Sequence, residues 1–233
     1  MTKGCFIMID GIDGSGKKTQ LDLLVARLKN SGLTVETTDF PQYGTKSAGL
    51  VEEYLNGAYG TAEEVSPEQA SIFYAVDRYA ASFKIRKWLQ EGKIVITNRY
   101  VASNMGHQGG KIADPVKRED FFRWNDQLEF GIFNIPKPDI NIILHVTPEI
   151  AQELVDKKTA RSYIQGAKRD IHEDNLSHLR NAEQTYLLIT RLFPEYTLIE
   201  CVEGGNLLSV EEIQKKVWQF VERRLNNLEI VTT

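Results

Sequence analysis

Cysteine is scarce: Cys5 and Cys201 are the only two in 233 residues. Both sit inside apolar runs with no CxxC or Cys/His spacing, which argues for buried thiols rather than a disulfide or a zinc site. Any metal is then expected on oxygen ligands. Long hydrophobic runs are missing too. The apolar stretch from Cys5 to Ile9 is strand-sized and is followed at once by Asp10 and a glycine-rich loop, so it reads neither as a signal peptide nor as a membrane span. Nor is there a basic excess. With 28 Lys and Arg against 32 Asp and Glu, the formal net charge is -4, which disfavours a protein that works by covering nucleic acid. No internal repeat or low-complexity tract occurs. The expectation is a soluble, cytoplasmic protein that handles small molecules, with neither nucleic acid nor membrane as a partner.

What remains is an ordinary globular composition, 42% hydrophobic and 26% charged, enough to build a core. Strand-like apolar runs recur at Cys5 to Ile9, Leu33 to Thr38, Ile94 to Thr97, Ile140 to Val146 and Tyr196 to Val202, and segments with helical spacing separate them. Leu21, Leu24, Val25 and Leu28 give one apolar helix face, stopped at Ser31-Gly32. Ser66-Pro67-Glu68-Gln69 reads as a capped helix start, with the helix running to about Glu91. Further helices are predicted from Asp114-Pro115, after Thr147-Pro148 and after Ser209, where Val210, Ile213, Val217, Phe220 and Val221 line a face. This alternation predicts an α/β fold: a five-stranded parallel sheet between two helical layers. Ligands of such sheets bind at the carboxyl ends of the strands.

The loop after the first strand is Gly11-Ile12-Asp13-Gly14-Ser15-Gly16-Lys17-Lys18-Thr19. A strand before it and a helix after it are the context a phosphate-binding P-loop requires. Its glycines let successive N–H groups point inward, the helix amino terminus adds partial positive charge, and Lys17 supplies a cation for the β- and γ-phosphates of ATP. One position departs from the usual pattern. Lys18 stands where Ser or Thr would offer Mg²⁺ a hydroxyl, and Thr19 comes one residue later, so the metal must be held mainly by phosphates, waters and carboxylates, with Asp13 a candidate among them.

Three other motifs lie at strand ends or on the long helix: Asp39-Phe40-Pro41, Tyr74-Ala75-Val76-Asp77-Arg78 and Asn98-Arg99-Tyr100. With the P-loop, their order and spacing resemble those of the thymidylate kinase family over nearly the whole chain. The resemblance implies P-loop kinase architecture with a mobile lid. It implies one kinase domain over residues 1–229, with the lid at about 157–172 and a tail at 230–233. The cofactors would be ATP and Mg²⁺, the acceptor dTMP, the product dTDP, and the assembly a homodimer.

The same resemblance assigns roles to residues. Tyr74 matches the aromatic that stacks on thymine, Arg78 the arginine that holds a base carbonyl, and Arg99 the arginine on the monophosphate near the transferred group. Planar guanidinium forks suit both kinds of oxygen. Phe40 and Pro41 would shape the wall under the nucleoside, or serve as plain packing; both readings stand. Asp13 would lie near the sugar hydroxyl and the transfer region. Ser103 and Asn104 fall in the segment that reads the base, Asn104 offering donor and acceptor. His107 stands where the family often has Tyr or Phe near the sugar 2′ position, which implies weaker exclusion of ribonucleotides. Asn98 replaces the usual Asp before the arginine, so the missing carboxylate must come from elsewhere, Glu173 being one candidate.

The segment from Lys157 to Arg169 carries Lys157, Lys158, Arg161, Lys168 and Arg169 and no acid. It falls in the family's lid. Gly14 occupies the place where one subgroup has a catalytic arginine, so Arg161 or Arg169 would supply that charge, with Lys168 in support. Two other readings stay open on the residues alone. A nucleoside kinase would need a carboxylate base for a 5′-hydroxyl, for which Asp10 or Asp13 could be proposed. A nucleotide-binding regulator without turnover would tolerate Lys18 and Asn98.

Overall fold

A computed structural model describes residues 4–162 and 176–230, with the side chains of 157–162 excepted. The fold opens with β1 (Cys5–Asp10), α1 (Lys17–Asn30) and β2 (Val35–Asp39). After α2 (Gly49–Leu55) comes the long α3 (Pro67–Gln90), leading into β3 (Ile94–Asn98). The short α4 (Val101–Ser103) runs on through a π turn over Asn104–Gln108. Then come α5 (Pro115–Asp126), a second π turn over Gln127–Ile132, and β4 (Ile140–His145). The chain continues with α6 (Pro148–Ser162), α7 (Leu176–Leu192) and β5 (Tyr196–Glu200). A hairpin of β6 (Val202–Glu203) and β7 (Asn206–Leu207) precedes α8 (Val210–Asn227).

The five long strands form one parallel sheet in the order β2-β3-β1-β4-β5. β1 lies at its centre with every residue buried, as its unbroken apolar run requires for a strand covered on both faces. α1 packs with α8 on one face, and α3, α5 and α7 lie on the other, giving the three layers. Cys5 and Cys201 are buried and not joined in a disulfide.

Caps set the helix starts. Ser66 accepts from the Gln69 N–H while the Gln69 side chain accepts from the Ser66 N–H, a full capping box with Pro67 at the first helical position. Asp114 accepts from Val116 N–H at 2.9 Å at the start of α5. One expectation is corrected at the fifth strand, which ends at Glu200 instead of reaching Val202. Cys201 donates its N–H to the His145 carbonyl, and the chain then turns through Gly204-Gly205, both at positive φ, into the hairpin. At the same edge His145 bridges Glu183 of α7 (2.9 Å) and Glu200 of β5 (2.7 Å), tying three elements together.

Candidate active site

The register of the sheet gathers the site. Asn98 stands opposite both Ile9 and Asp39, so β1, β2 and β3 end side by side. Immediately beyond, Arg99 adopts φ 65, a left-handed conformation that costs a non-glycine residue roughly 1–2 kcal/mol. Two bonds hold it there: its N–H donates to the Ile9 carbonyl at 2.9 Å, and the Thr97 hydroxyl donates to its own carbonyl at 2.8 Å. The turn carries the guanidinium to the P-loop, where Nη2 donates to Asp13, while Nη1 lies 3.0 Å from His107 Nε2.

Within the loop, Gly11, Gly14 and Gly16 all have positive φ. Gly14 is doubly constrained, since a Cβ there would lie 2.2 Å from the Ala151 carbonyl of α6. No arginine fits at this position, a steric reason for finding glycine where a relative could place a cation. Lys17 is buried and donates to the carbonyls of Gly11 (3.0 Å) and Ile12 (2.9 Å), curled over the loop. Burial and the nearby Arg99 push its ammonium down to about 8, with Asp13 opposing. Burial disfavours a charged Asp13, but Arg99 and Lys17 beside it hold its carboxyl far below the usual range. Lys18 points away into an exposed pair with Asp22, and Thr19 is exposed.

Asp10, fully buried, accepts from Gly11 N–H (2.9 Å), Tyr100 N–H (3.3 Å), the Ser103 hydroxyl (2.8 Å) and the Tyr186 hydroxyl (2.9 Å). With those donors on it, Asp10 is a brace between β1, α4 and α7 and not a base for a sugar hydroxyl. Ser103 is thereby turned towards this brace.

The residues expected to read the base converge behind α4. Arg78 is 1% exposed and forks onto Glu129, which is 0% exposed. Its Nε donates to the two carboxylate oxygens at 2.9 and 3.1 Å, Nη2 donates to Oε1, and Nη1 reaches the Tyr100 carbonyl at 3.3 Å. Burial opposes the charge on Arg78, yet Glu129 carries its pKa above the ordinary value. Asn104 directs its NH₂ at the Ser71 carbonyl (3.1 Å), Asn125 Oδ1 (3.3 Å) and Glu129 Oε1 (3.5 Å). Two of these can only accept, so the amide orientation is set and Oδ1 is presented as an acceptor. Tyr74 is half-buried, 6.4 Å edge-on from Tyr54. Phe40 packs in the core against Tyr100, and Pro41 is half-buried after a cis peptide bond. The segment that follows is tied to α3, where the Gln42 N–H donates to buried Asp77 at 2.8 Å.

The structure thus brings together Asp13, Lys17, Arg99 and His107, and, in a second cluster, Arg78 and Asn104. Arg161 lies in the last turn of α6 with its side chain outside the described part. Lys168, Arg169 and Glu173 lie outside the described residues, as do residues 231–233 of the expected tail. Sequence reasoning missed Glu129, Tyr186 and His178, the last 3.2 Å from His107 Nδ1. For Glu129 a signal existed, an acid set between Leu128 and Phe130.

The family model described as thymidylate kinase matches residues 9–217. The chain belongs to the thymidylate kinase family. It is 32% identical to the thymidylate kinase of Mycobacterium tuberculosis over 72% of this chain and 77% of that one. To the probable thymidylate kinase of Pyrobaculum aerophilum it is 33% identical, over 78% and 81%. Its fold matches a Candida albicans thymidylate kinase structure with a TM-score of 0.70 at 23% identity, covering 96% of this chain and 93% of the other. The family reaction, ATP-dependent phosphoryl transfer to dTMP producing dTDP, is this chain's reaction. In the structure Asp13 and Lys17 of the Gly11–Thr19 loop form one cluster with Arg99.

Proposed function

We propose that this cluster is the transfer centre and that Arg78 and Asn104 set the acceptor's base. The observation that carries the reading is Arg99 turned back on the P-loop, bringing a guanidinium, a carboxylate and an ammonium to one point. Phosphoryl transfer needs positioning and charge neutralisation more than covalent chemistry. Lys17 exchanges its two loop carbonyls for β- and γ-phosphate oxygens of ATP. Arg99 takes the dTMP phosphate, whose oxygen attacks in line, and Arg161 or Arg169 of the 157–172 lid adds charge from above. Tyr74 stacks on the thymine. Asn104 Oδ1 accepts from the ring N3–H, which cytosine lacks, so the site favours thymine and uracil.

Mg²⁺ fits the oxygen set at the strand ends. Asn98 donates its amide to Asp39 at 2.6 Å, and its own Oδ1 is buried with no partner. That oxygen and the Asp39 carboxylate would hold the ion together with phosphates and waters, a pattern Mg²⁺ prefers. The ion supplies neutralisation of phosphate charge.

Residues 1–229 act as one kinase domain in this reading, in the cytoplasm, with no nucleic acid or membrane partner. Among the described residues, no helix is long and apolar enough to cross a membrane. A homodimer is supported by the outer face of α3, where Ile72, Tyr79 and Phe83 are exposed on one stripe beside exposed Ile132.

An assay of ADP release across dTMP, dUMP, UMP, dCMP and thymidine tests the reading. Turnover is expected with dTMP and dUMP and at least tenfold less with dCMP. Activity with thymidine but not dTMP would refute it.

A further inference from the structure

The dyad of His107 and His178 has no part in the chemistry described so far. Its ring planes are nearly parallel, 17° apart, with centroids 5.4 Å apart, and Tyr186 meets His107 edge-on at 5.9 Å. Arg99 Nη1 lies 3.0 Å from His107 Nε2, and His107 Nδ1 lies 3.2 Å from His178 Nε2.

Donor and acceptor roles along this chain follow by elimination. A guanidinium has only donors, so His107 Nε2 must be the acceptor. A neutral imidazole with a bare Nε2 carries its proton on Nδ1. That proton points at His178 Nε2, which must therefore be bare in turn. If His107 took the opposite tautomer, its Nε2–H would confront the Arg99 donor. If it were doubly protonated, the same conflict would arise.

We infer that His178 is a positioning residue for the transfer site: by accepting from His107 Nδ1–H it fixes the tautomer that lets His107 hold the Arg99 guanidinium. The logic is that of an outer ligand fixing an inner imidazole. Burial pushes His107 well below its ordinary value and also lowers His178, consistent with two neutral rings. Among the described residues, the charged groups facing them include Asp13, Arg99 and Lys17 towards His107, and Asp13, Lys111, Arg99 and Glu63 towards His178. Arg99 is then held on two sides, by Asp13 through Nη2 and by His107 through Nη1, which aims its fork without consuming it. The same bonds occupy both ring nitrogens of His107. The ring thus offers the sugar its carbon edge and not a free donor, which bears on the expected tolerance of ribonucleotides.

The inference rests on the proposed role of Arg99, and two measurements keep the two ideas separable. Nitrogen-15 spectra of the unmodified protein, with its four histidines assigned by single substitutions, are expected to show His107 protonated on Nδ1 at neutral pH. A His107 protonated on Nε2 would overturn the relay, whatever Arg99 does. In kinetics, His178→Leu removes the acceptor and is expected to raise KM for dTMP about tenfold, leave KM for ATP within about twofold, and move the His107 proton to Nε2. His178→Gln places an amide oxygen where Nε2 stood and should restore dTMP KM to within about threefold of the parent. If both variants fall equally, or neither changes, the positioning role is wrong. Arg99→Lys tests the underlying reading: an unchanged dTMP KM there would overturn the role of Arg99 while leaving the tautomer result intact.

Discussion

Replacing Glu129 by Gln keeps the shape of the Arg78–Glu129–Asn104 cluster and removes one charge. Arg78 would stay at 1% exposure with one neutral amide oxygen and the Tyr100 carbonyl at 3.3 Å as its remaining acceptors. The amide retains one oxygen but turns an NH₂ towards donors. Breaking a buried ion pair from one side costs about 3–5 kcal/mol, because the surviving charge is left without compensation. For a chain of this size 1 kcal/mol corresponds to roughly 2–4 °C, so melting is expected to fall by about 6–20 °C. The assay is thermal unfolding without nucleotide, since bound ligand would mask the loss by mass action. Asn104 also loses one of the acceptors that orient its amide, so dTMP KM should rise with the loss of stability. Arg78→Met with Glu129→Leu separates the two effects. Removing both charges is expected to restore most of the melting temperature while dTMP binding remains poor. A Glu129→Gln protein melting within about 2 °C of the parent would refute the reasoning, because it would mean that the pair is not a closed, desolvated contact.

Gly14→Ala should raise KM for ATP at least tenfold and lower melting by several degrees, as a Cβ at φ 83 would meet the Ala151 carbonyl at 2.2 Å; nucleotide titration checks it. Burial opposes the charge on His145, but Glu183 and Glu200 raise its pKa above the ordinary 6.5. Its contribution to stability is thus complete below the unfolded value and fades as pH rises through the folded one, so His145→Gln should lower melting more at pH 6 than at pH 9. Asp39→Asn is expected to raise the Mg²⁺ concentration for half-maximal binding of nucleotide about tenfold, read by calorimetry. Alanine at Arg161 or Arg169 should reduce turnover at least about tenfold at one of the two, roughly 1.4 kcal/mol in the barrier; loss at neither would remove the lid arginine from the mechanism.

Much of the scaffold was legible because it rests on local rules. The P-loop glycines, the box at Ser66 and Gln69, the Asp114 cap and the buried run of β1 each announce themselves within a few residues. What could not be read depends on distance in the chain. Glu129 meets Arg78 across 51 positions, and it does so from a π turn whose period matches neither a helix nor a strand template. His178 reaches His107 across 71 positions, and an imidazole carries no sign of which nitrogen will be bonded. Asn98 stands out in the sequence as a departure, but its pairing with Asp39 requires the strand register. The apolar run overextends the fifth strand because Cys201 is buried and Val202 pairs in the β6–β7 hairpin, outside the parallel sheet.

That register has a wider meaning. Adjacent parallel strands are about 4.8 Å apart, and β2 and β3 end level with each other, so residues 39 and 98 are two addresses for one carboxylate. Exchanging them, Asp39→Asn with Asn98→Asp, would shift a negative charge by little more than the width of a peptide and leave the net charge of the strand ends unchanged. Position-by-position comparison would score this as two losses. In space it is a relocation, and the sheet edge, not either residue, is the unit that keeps the charge.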